Sequence, residues 1–420
     1  MAKYLETRGP DGPWNIAGIE REDFTGAVVI PALAESDSLF ATLQSLAQNP
    51  QNILSDFLIL VVVNHRRDAA LSDKLDNEVT LQRLAAGDSF LSGLLFAWVD
   101  AASKGLELPA KGGVGLARKI GFDLALTRLN YRQADPLLIS LDADTLVRPD
   151  YLPSLMRHFQ GAKVPGAVIP FCHQRGPTPE QDRAIRRYEL FLRAYVLGLS
   201  RAGSPYAFHT VGSAMACRAG FYARMGGMNV RKAGEDFYFL QHLAKTGGIA
   251  QVKGTVVYPS ARPSNRVPFG TGRSVSRLLG KEEGAVLFYQ KDCFQVLRDW
   301  LGLVAQNLKS GGEEIRASSE KISGELAAYL DRIRFIGVWH KLRKNFHDPP
   351  NLMSAFHGWF DGLKTMKLIH YLSAGPMPRG EPESVMPELF QWAGLEPVKG
   401  IDRQLDLLRE IQIGETYESN

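Results

Sequence analysis

The fold is constrained most by two apolar runs that are separated by one amphipathic helical segment. The first run, GAVVIPALAES, occupies residues 26–36, and the second, FLILVVVN, occupies residues 57–64. Between them Leu39, Leu43 and Leu46 recur at the spacing of a helix. Apolar runs of this kind are typical of strands that are covered on both faces of a sheet. A strand, a helix and a second strand form a βαβ unit, which predicts a parallel sheet with right-handed crossovers.

The alternation of strands and helices continues to about residue 280 and then stops. Residues 69–100 are predicted to be helical with breaks, and a strand is predicted at residues 137–140. The remaining third of the 420 residues shows a helical pattern interrupted by prolines. The sequence therefore predicts an α/β domain over residues 1–280, with a Rossmann-like, mostly parallel sheet flanked by helices, and a helical C-terminal region over residues 281–420.

Composition excludes several classes of protein. Lys and Arg exceed Asp and Glu by only 49 to 45, whereas a nucleic-acid binder concentrates far more positive charge. The three cysteines, Cys172, Cys217 and Cys293, lie far apart, so neither a disulfide framework nor a zinc cluster is predicted. No signal-peptide core is recognised at the N-terminus, and the longest apolar stretches are too short or too charged to span a bilayer. The expectation is a soluble, cytoplasmic protein that does not bind nucleic acid.

The sharpest candidate for chemistry is the pair Asp142 and Asp144, which directly follows the predicted strand at residues 137–140. In an open parallel sheet, ligands gather at the carboxyl ends of the strands. Carboxylate oxygens are the ligands that Mg²⁺ and Mn²⁺ favour, and these ions readily share their coordination shell with phosphate. The pair therefore predicts a divalent-cation site, and a turn with solvated aspartates is the alternative.

Two other segments suit a phosphate-bearing substrate. Glu235 and Asp236 open a predicted helix, where one acid can act as a general base, although acids in a first helical turn also complement the helix dipole. The segment KGGVGLAR, residues 111–118, places glycines and Arg118 at a helix start, where backbone N–H groups can cradle a phosphate. Its spacing is neither that of a P-loop nor that of a dinucleotide fingerprint, and structural glycines beside a solvated lysine are the alternative.

In their order and spacing, these segments resemble glycosyltransferase family 2 over about residues 24–262. The matching segments are VVIPALAES, VVVN, GLARKIG, LDADT, GSAMACRAGFYARMGG and GEDFYFLQHLAKTG. The resemblance implies a GT-A fold and transfer of a sugar from a nucleotide-diphosphate sugar to an acceptor hydroxyl. Inversion is the expected outcome, and retention is the alternative. It also implies Mn²⁺ or Mg²⁺ as the cofactor.

The resemblance also implies roles for individual residues. It implies a nucleotide-sugar pocket lined by residues at the ends of the first two strands: Pro31, Ala32, Glu35 and Asn64. Arg118 is implied to lie near the diphosphate, and Asp142 and Asp144 to hold the donor and the metal ion. Asp236 is implied to be the general base, with Glu235 beside it.

The acceptor is expected to meet the loop SRAGSPYAFHTVGSA, residues 200–214, whose aromatic rings suit stacking against sugar faces. The expected contacts are His209, Gly212 and Ser213, and core packing of the loop is the alternative. The nature of the acceptor, whether a glycan, a lipid-linked molecule or a small molecule, is left open, as is the oligomeric state.

Two basic regions suggest further contacts. Arg262, Arg266 and Arg273 are spaced like a mobile lid that binds phosphate, and a basic surface loop is the alternative. The segments HKLRKNFHDPP and MKLIHY, residues 340–350 and 366–371, combine basic and aromatic side chains. They suit peripheral contact with an anionic membrane, at its inner face, or with an acidic acceptor, and ordinary solvated helices are the alternative.

The chain departs from the family pattern at two places. The second strand ends in Asn64, His65 and Arg66 where an acidic residue is usual, which leaves the nucleotide base open. The segment after the last predicted strand contains no His, so a third protein ligand for the metal is unassigned. Two rival functions remain: a non-catalytic nucleotide-sugar or glycan-binding protein on the same scaffold, and a nucleotidyltransferase. The segment PALAES disfavours the second, because nucleotidyltransferases carry a glycine-rich, arginine-containing loop there.

Overall fold

The computed structural model describes residues 1–9, 11–87, 91, 93–231, 233–264, 270–282 and 284–414. Within these residues the chain divides into two compact units. The first unit comprises residues 1–185 and 210–276 together with the described residues from 413 on, and the second comprises residues 186–209 and 277–412. The predicted division into domains at residue 280 stays a prediction, since the two units are interleaved along the chain.

The first unit contains an eight-stranded mixed sheet and a separate two-stranded sheet. The strands in chain order are β1 (Ile16–Ala17), β2 (Gly26–Ala32), β3 (Phe57–Asn64), β4 (Phe96–Ala101), β5 (Leu137–Ser140), β6 (Leu146–Val147), β7 (Gly166–Val168), β8 (Met215–Arg218), β9 (Ile249–Gln251) and β10 (Val257–Tyr258). The large sheet has the order β1-β4-β3-β2-β5-β8-β7-β9, and β6 pairs with β10. The pairs β2–β3, β3–β4, β2–β5 and β7–β9 are parallel, whereas β1–β4, β5–β8 and β7–β8 are antiparallel.

Among the described residues, ten α-helices accompany the strands in chain order up to residue 279. They are α1 (Ala2–Arg8), α2 (Leu39–Ala47), α3 (Gln51–Leu54), α4 (Leu71–Ala86), α5 (Val114–Ala125), α6 (Tyr151–Gly161), α7 (Pro179–Arg201), α8 (Ala219–Arg224), α9 (Glu235–Thr246) and α10 (Thr271–Leu279). Every residue of β2 and β3 is buried, as expected for parallel strands covered on both faces. The predicted α/β class with a mostly parallel sheet is confirmed.

One predicted helical stretch is wrong at its end. Residues 69–100 were expected to be helical, but the helix α4 ends at Ala86 and residues 96–101 form the strand β4. Pairing with β3 explains the difference, because Ile59 lies opposite Phe96 and burial along β4 alternates residue by residue. The period of two in FAWVDA is typical of a strand, and the apolar residues before it obscured that period.

The second unit is helical. Beyond parts of α7 and α10 it contains α11 (Lys291–Gln306), α12 (Gly312–Glu320), α13 (Gly324–Arg332), α14 (Phe335–Asn345), α15 (Pro349–Trp359), α16 (Gly362–Ser373), α17 (Pro382–Trp392) and most of α18 (Ile401–Ile413). Its core centres on Trp300 and Trp339, both fully buried, and the Trp300 ring packs edge-on against Phe335 at 5.1 Å. The predicted helical C-terminal part is confirmed. In the described part of the chain, no helix combines the length and the hydropathy that a membrane span requires.

The strand order also fixes where a ligand site can form. From the central strand β2 the chain adds β3 and then β4 on one side, and it returns to add β5 on the other side of β2. This reversal is a topological switch point, at which a crevice opens beyond the carboxyl ends of the strands. The ends of β2 and β5 are therefore the part of the sheet where a binding site is expected.

Candidate active site

Three carboxylates meet at the switch point. Glu35 follows β2, and Asp142 and Asp144 follow β5. The two strands are parallel neighbours with Val29 opposite Ser140, so their carboxyl ends emerge at the same edge of the sheet. Asp142 and Asp144 retain side-chain exposures of 34% and 22%, whereas the Glu35 side chain is almost fully buried. Glu35 at the end of β2 therefore lies at the same corner of the sheet as Asp142 and Asp144 at the end of β5.

The turn that carries the two aspartates is anchored by side chains distant in sequence. The Thr42 hydroxyl, on α2, donates a hydrogen bond to the carbonyl oxygen of Ala143 at 2.9 Å. The amide Nε2 of Gln174 donates to the carbonyl oxygens of Asp144, at 3.0 Å, and of Tyr258, at 2.7 Å. Gln174 was not predicted from the sequence, because a lone glutamine in a loop carries no motif. These anchors fix the backbone and leave the carboxylates of Asp142 and Asp144 directed by their ion pairs.

The first of these ion pairs is made by Arg262, which follows β10. Its Nε donates to Oδ2 of Asp144 at 3.0 Å, and its Nη2 donates to the Glu35 carboxylate. One guanidinium therefore joins the end of β2 to the end of β5. Among the three arginines predicted to form a lid, Arg262 lies at the switch point, Arg273 lies in α10, and Arg266 lies outside the described residues.

The second bridge is made by Arg118, on α5, whose side chain is only 4% exposed. Its Nη2 donates to Asp142 and its Nη1 donates to Glu235, the first residue of α9. The carboxylates of Asp142 and Glu235 together raise the pKa of this guanidinium, against the opposing effect of its burial. Arg118 therefore connects the two acidic motifs that the sequence presents 93 residues apart.

Glycines allow this close approach. A Cβ atom on Gly212 would lie 2.4 Å from Nη2 of Arg118, so that glycine packs directly on the guanidinium. A Cβ atom on Gly115 would lie 2.5 Å from the carbonyl oxygen of Arg231, so the start of α5 packs against the segment that leads into α9. Gly234, which caps α9, has a φ of +69°, a conformation that an L-residue adopts only with strain. The Gly-rich pattern in the sequence thus serves the packing of α5 against α9.

The acids of the site have perturbed pKa values. Burial, reinforced by the charge of Glu235, raises the pKa of Asp236 to about 7, although Arg118 opposes the shift. Burial raises the pKa of Asp144 to about 6, with Arg262 opposing and the charges of Glu35 and Asp142 adding to it. Asp236 is half-buried, and its Oδ1 accepts a hydrogen bond from the backbone N–H of Phe237 at 2.7 Å.

Acids outnumber the arginines that pair with them among the described residues of this corner. Two guanidinium groups, those of Arg118 and Arg262, form ion pairs there, and five carboxyl groups lie there. The five carboxyl groups belong to Glu35, Asp142, Asp144, Glu235 and Asp236. Among the described residues, no group of three or more His, Cys, Asp or Glu side chains is arranged to hold a metal ion.

Other predicted site residues lie in different surroundings. The side-chain amide of Asn64 is buried and donates to the carbonyl oxygens of Ala32 and Val62 at 3.1 and 3.0 Å. Pro31 and Ala32 lie within β2 and contribute backbone to the sheet. Their predicted contacts with the nucleotide stay predictions.

The predicted acceptor residues are divided between the two units. His209 belongs to the second unit, where its Nε2 lies 3.0 Å from Oε1 of Gln412. Gly212 and Ser213 belong to the first unit, and Gly212 is the glycine that packs on Arg118. Ser213 is fully buried, and its hydroxyl has no hydrogen-bond partner among the residues that the structure describes. Contact of these residues with an acceptor stays a prediction.

The fold and the site together define a Rossmann-like α/β domain with an acidic, arginine-bridged corner at its switch point. No protein-family profile matches the chain, and no curated protein matches it in sequence. Solved structures do align with it. Residues 1–349 of TarS from S. aureus, in complex with UDP-GlcNAc, align at 14% identity and a TM-score of 0.39, over 79% of this chain and 89% of that one.

Two further solved structures align with the chain at comparably low identity and TM-score. The mannosyltransferase PcManGT from Pyrobaculum calidifontis, in complex with GDP-Man and Mn²⁺, aligns at 14% identity and a TM-score of 0.37, over 99% of this chain and 93% of that one. Glucosyl-3-phosphoglycerate synthase from M. tuberculosis aligns at 17% identity and a TM-score of 0.33, over 66% and 81%. At these TM-scores the likenesses decide nothing about activity, and the function has to be argued from the side chains of the site.

Proposed function

We propose that the first unit is a glycosyltransferase that moves a sugar from a nucleotide-diphosphate sugar to an acceptor hydroxyl. The observation that supports this most is the Arg118 bridge, which gathers Asp142 and Glu235 into one corner at the switch point. That corner combines acids for a donor and its cation with a separate acid, Asp236, next to Glu235 on α9. The sequence resemblance to glycosyltransferase family 2 points to the same reaction.

The chemistry needs two functions at this corner. The departing nucleoside diphosphate must be stabilised as negative charge develops on it, and the acceptor hydroxyl must lose its proton to a base. Asp236 is suited to the second function in its ionised form, because a pKa of about 7 makes it a stronger base than an ordinary aspartate while it is still largely ionised just above neutral pH. An inverting route requires one such base, and Asp236 is the residue that we assign to it.

A divalent cation fits this corner by charge and by donor chemistry. The clustered acids would oppose entry of a diphosphate, and a cation would offset their charge. Asp142 and Asp144 offer the carboxylate oxygens that Mg²⁺ and Mn²⁺ prefer, and these are the residues that we propose to hold it. When bound, the cation would neutralise charge on the diphosphate as it departs.

The protein's own residues then orient the reaction. Arg118 holds Glu235 at the first turn of α9 and so fixes the neighbouring Asp236 relative to the end of β5. Gln174 and Thr42 hold the backbone of the aspartate turn. Because Arg118 and Thr42 lie on helices and Gln174 is itself hydrogen-bonded to two backbone carbonyl oxygens, the base and the donor acids are presented in one geometry. The acceptor, the cytoplasmic location and contact with a membrane stay predictions from the sequence.

The experiment that tests the proposal compares Asp236→Asn with the wild type. Donor binding is measured by thermal shift with UDP-, GDP- and dTDP-sugars in the presence of Mn²⁺, and sugar transfer is measured by release of the nucleoside diphosphate. We expect donor affinity to be retained and transfer to fall by about 10²-fold or more, as is typical for loss of a general base. Asp11→Asn, at an exposed position, is the matched control and should leave both unchanged.

Two outcomes would contradict the proposal. If Asp236→Asn lost donor affinity as strongly as transfer, Asp236 would be a donor-binding residue and the assignment of the base would fail. If the wild type bound a nucleotide sugar but neither hydrolysed nor transferred it with any acceptor, the chain would be a binding protein on this scaffold.

A further inference from the structure

The two arginines at the corner differ in how firmly they are held. Arg118 lies on α5, is almost fully buried and has Gly212 packed on its guanidinium. Arg262 lies in the irregular segment after β10, and 36% of its side chain is exposed. Both bridge two acids, but only Arg262 has room to exchange its partners without disturbing a helix. Arg118 is therefore a fixed support, whereas Arg262 is placed to move.

Arg262 also occupies the carboxylate that the proposed function needs for a cation. Its Nε lies 3.0 Å from Oδ2 of Asp144, and its other contact is with Glu35. A guanidinium and a divalent cation repel each other, so they compete for the same carboxylate oxygens. Binding of the metal ion at Asp144 therefore carries the cost of displacing or weakening the Arg262 contact.

A diphosphate changes this balance. A guanidinium forms paired hydrogen bonds with phosphate oxygens about as well as with carboxylate oxygens. When a diphosphate enters the corner, Arg262 can exchange its bond with Asp144 for a bond with phosphate, and Asp144 becomes free for the cation. The exchange keeps the number of charge-assisted contacts of the guanidinium and adds a countercharge to the incoming anion.

Resting on the proposed function, we propose that Arg262 is an internal counter-ion that holds Asp144 in the absence of donor and moves to the diphosphate when donor and metal bind. The proposal makes metal and nucleotide binding mutually dependent. By linkage, each ligand raises the affinity of the other by the same factor. Arg262 thereby favours binding of the nucleotide and the metal ion together over binding of either one alone.

The test measures binding of MnCl₂ and of UDP and GDP by isothermal titration calorimetry, each alone and each in the presence of the other. For the wild type we expect weak binding of Mn²⁺ alone and an increase of about tenfold when a nucleotide is present, within the range typical of coupling between sites. In Arg262→Gln we expect Mn²⁺ alone to bind about tenfold more tightly than in the wild type. The nucleotide should bind more weakly, and the coupling factor should be smaller than in the wild type, because only the direct contact between cation and diphosphate remains to couple them.

Two further variants keep the interpretation sharp. Arg262→Lys retains the charge but cannot bridge two acids with a planar group, so its Mn²⁺ affinity should lie between those of the wild type and Arg262→Gln. Arg277→Gln removes a surface ion pair with Glu282 and is the matched control, which should behave as the wild type. Melting temperatures of all variants show whether the protein remains folded.

The outcomes separate this inference from the proposed function. If nucleotide binds and Arg262→Gln binds Mn²⁺ alone no better than the wild type, or if the coupling is unchanged, Arg262 is not a competing counter-ion and the inference is overturned. If no nucleoside diphosphate binds, with or without Mn²⁺, the proposed function itself fails, and the inference fails with it.

Discussion

Each of the two units contains a buried cluster of arginine and acid, and the clusters are built in opposite ways. In the second unit two arginines form ion pairs with one carboxylate, that of Glu189. Arg193 donates from the next turn of α7 at 2.8 Å, and Arg409 donates from α18 at 2.8 and 2.9 Å. All three side chains are at least nine-tenths buried. In the first unit one guanidinium, that of Arg118, forms ion pairs with two carboxylates, those of Asp142 and Glu235. The side chain of Asp142 is 34% exposed.

The comparison separates a structural use of buried charge from a functional one. The cluster around Glu189, which we call the closed cluster because its three charged side chains are buried, ties α7 to α18, and Gln412 accepts a hydrogen bond from Arg193 at 3.3 Å. The cluster of Arg118, Asp142 and Glu235, which we call the open cluster, has more negative than positive charge and lies at strand ends that open to solvent. A closed cluster stabilises packing, whereas an open, unbalanced one is able to recruit a cation and an anionic ligand. Burial of charge alone does not distinguish the two; the sign and location of the imbalance do.

The largest effect is expected from Arg118→Met, which breaks the open cluster. Glu235 would be left buried without its partner, and removing one member of a buried ion pair destabilises a protein by about 3–5 kcal/mol. Because α9 would lose its tie to β5, we also expect sugar transfer by the folded fraction to fall by about 10³-fold, close to the loss of a key electrostatic donor. Urea unfolding followed by circular dichroism, with turnover measured in native buffer, checks both expectations.

The closed cluster supplies the control for that experiment. In Arg409→Met, Glu189 keeps Arg193, so the loss of stability should be nearer the roughly 1.5–3 kcal/mol of a hydrogen bond to a charged group. Transfer by the folded fraction should stay near the wild-type rate. An equal loss of transfer in both variants would show that the distinction between the two clusters is wrong.

The next prediction concerns the pH dependence of activity, which tests the role of Asp236 beside the open cluster. Asp236 has to be ionised to accept a proton, and its pKa is raised to about 7, so activity is present above that pH and is lost as the pH falls through it. We expect kcat/KM to fall about tenfold for each pH unit below 7.

Rates measured from pH 5 to pH 9 with saturating Mn²⁺ check this expectation. The residual activity of Asp236→Asn should lack the limb near pH 7, whereas Arg409→Met should retain it. A wild-type rate that stayed level between pH 7 and pH 5 would count against Asp236 as the base.

The same comparison shows what a sequence of this kind reveals. The strand before Asp142 was predictable because an apolar run ends there, and Glu235 with Asp236 was predictable because the acids open a patterned helix. The contact of Arg262 with Glu35 was not, since 227 positions separate them and their approach depends on two pairings, that of β2 with β5 and that of β10 with β6. Local patterns identify strands, helices and their ends, while pairings that depend on the strand order have no local signature.

The loop that is predicted to meet the acceptor shows the same limit of local sequence patterns. The loop of residues 200–214 was treated as one acceptor-facing segment, but the structure assigns its part up to His209 to the second unit and its part from Thr210 to the first. Nothing in the local composition marks that division. Contact of Gly212 with the acceptor stays a prediction, and the structure adds that its small size admits the guanidinium of Arg118.

The smallest effect follows from that glycine. In Gly212→Ala the new Cβ would lie 2.4 Å from Nη2 of Arg118, and because two acids pin this side chain it cannot simply turn away. Overpacking of this kind costs about 1–3 kcal/mol, and displacement of the bridge should lower transfer by roughly tenfold. Gly161→Ala, where nothing lies within 4 Å of the added atom, is the control. Because Arg118 opposes the raised pKa of Asp236, its displacement should also move the loss of activity to a somewhat higher pH. A rate and a pH profile equal to those of Gly161→Ala would contradict the role of Gly212 in seating the Arg118 bridge.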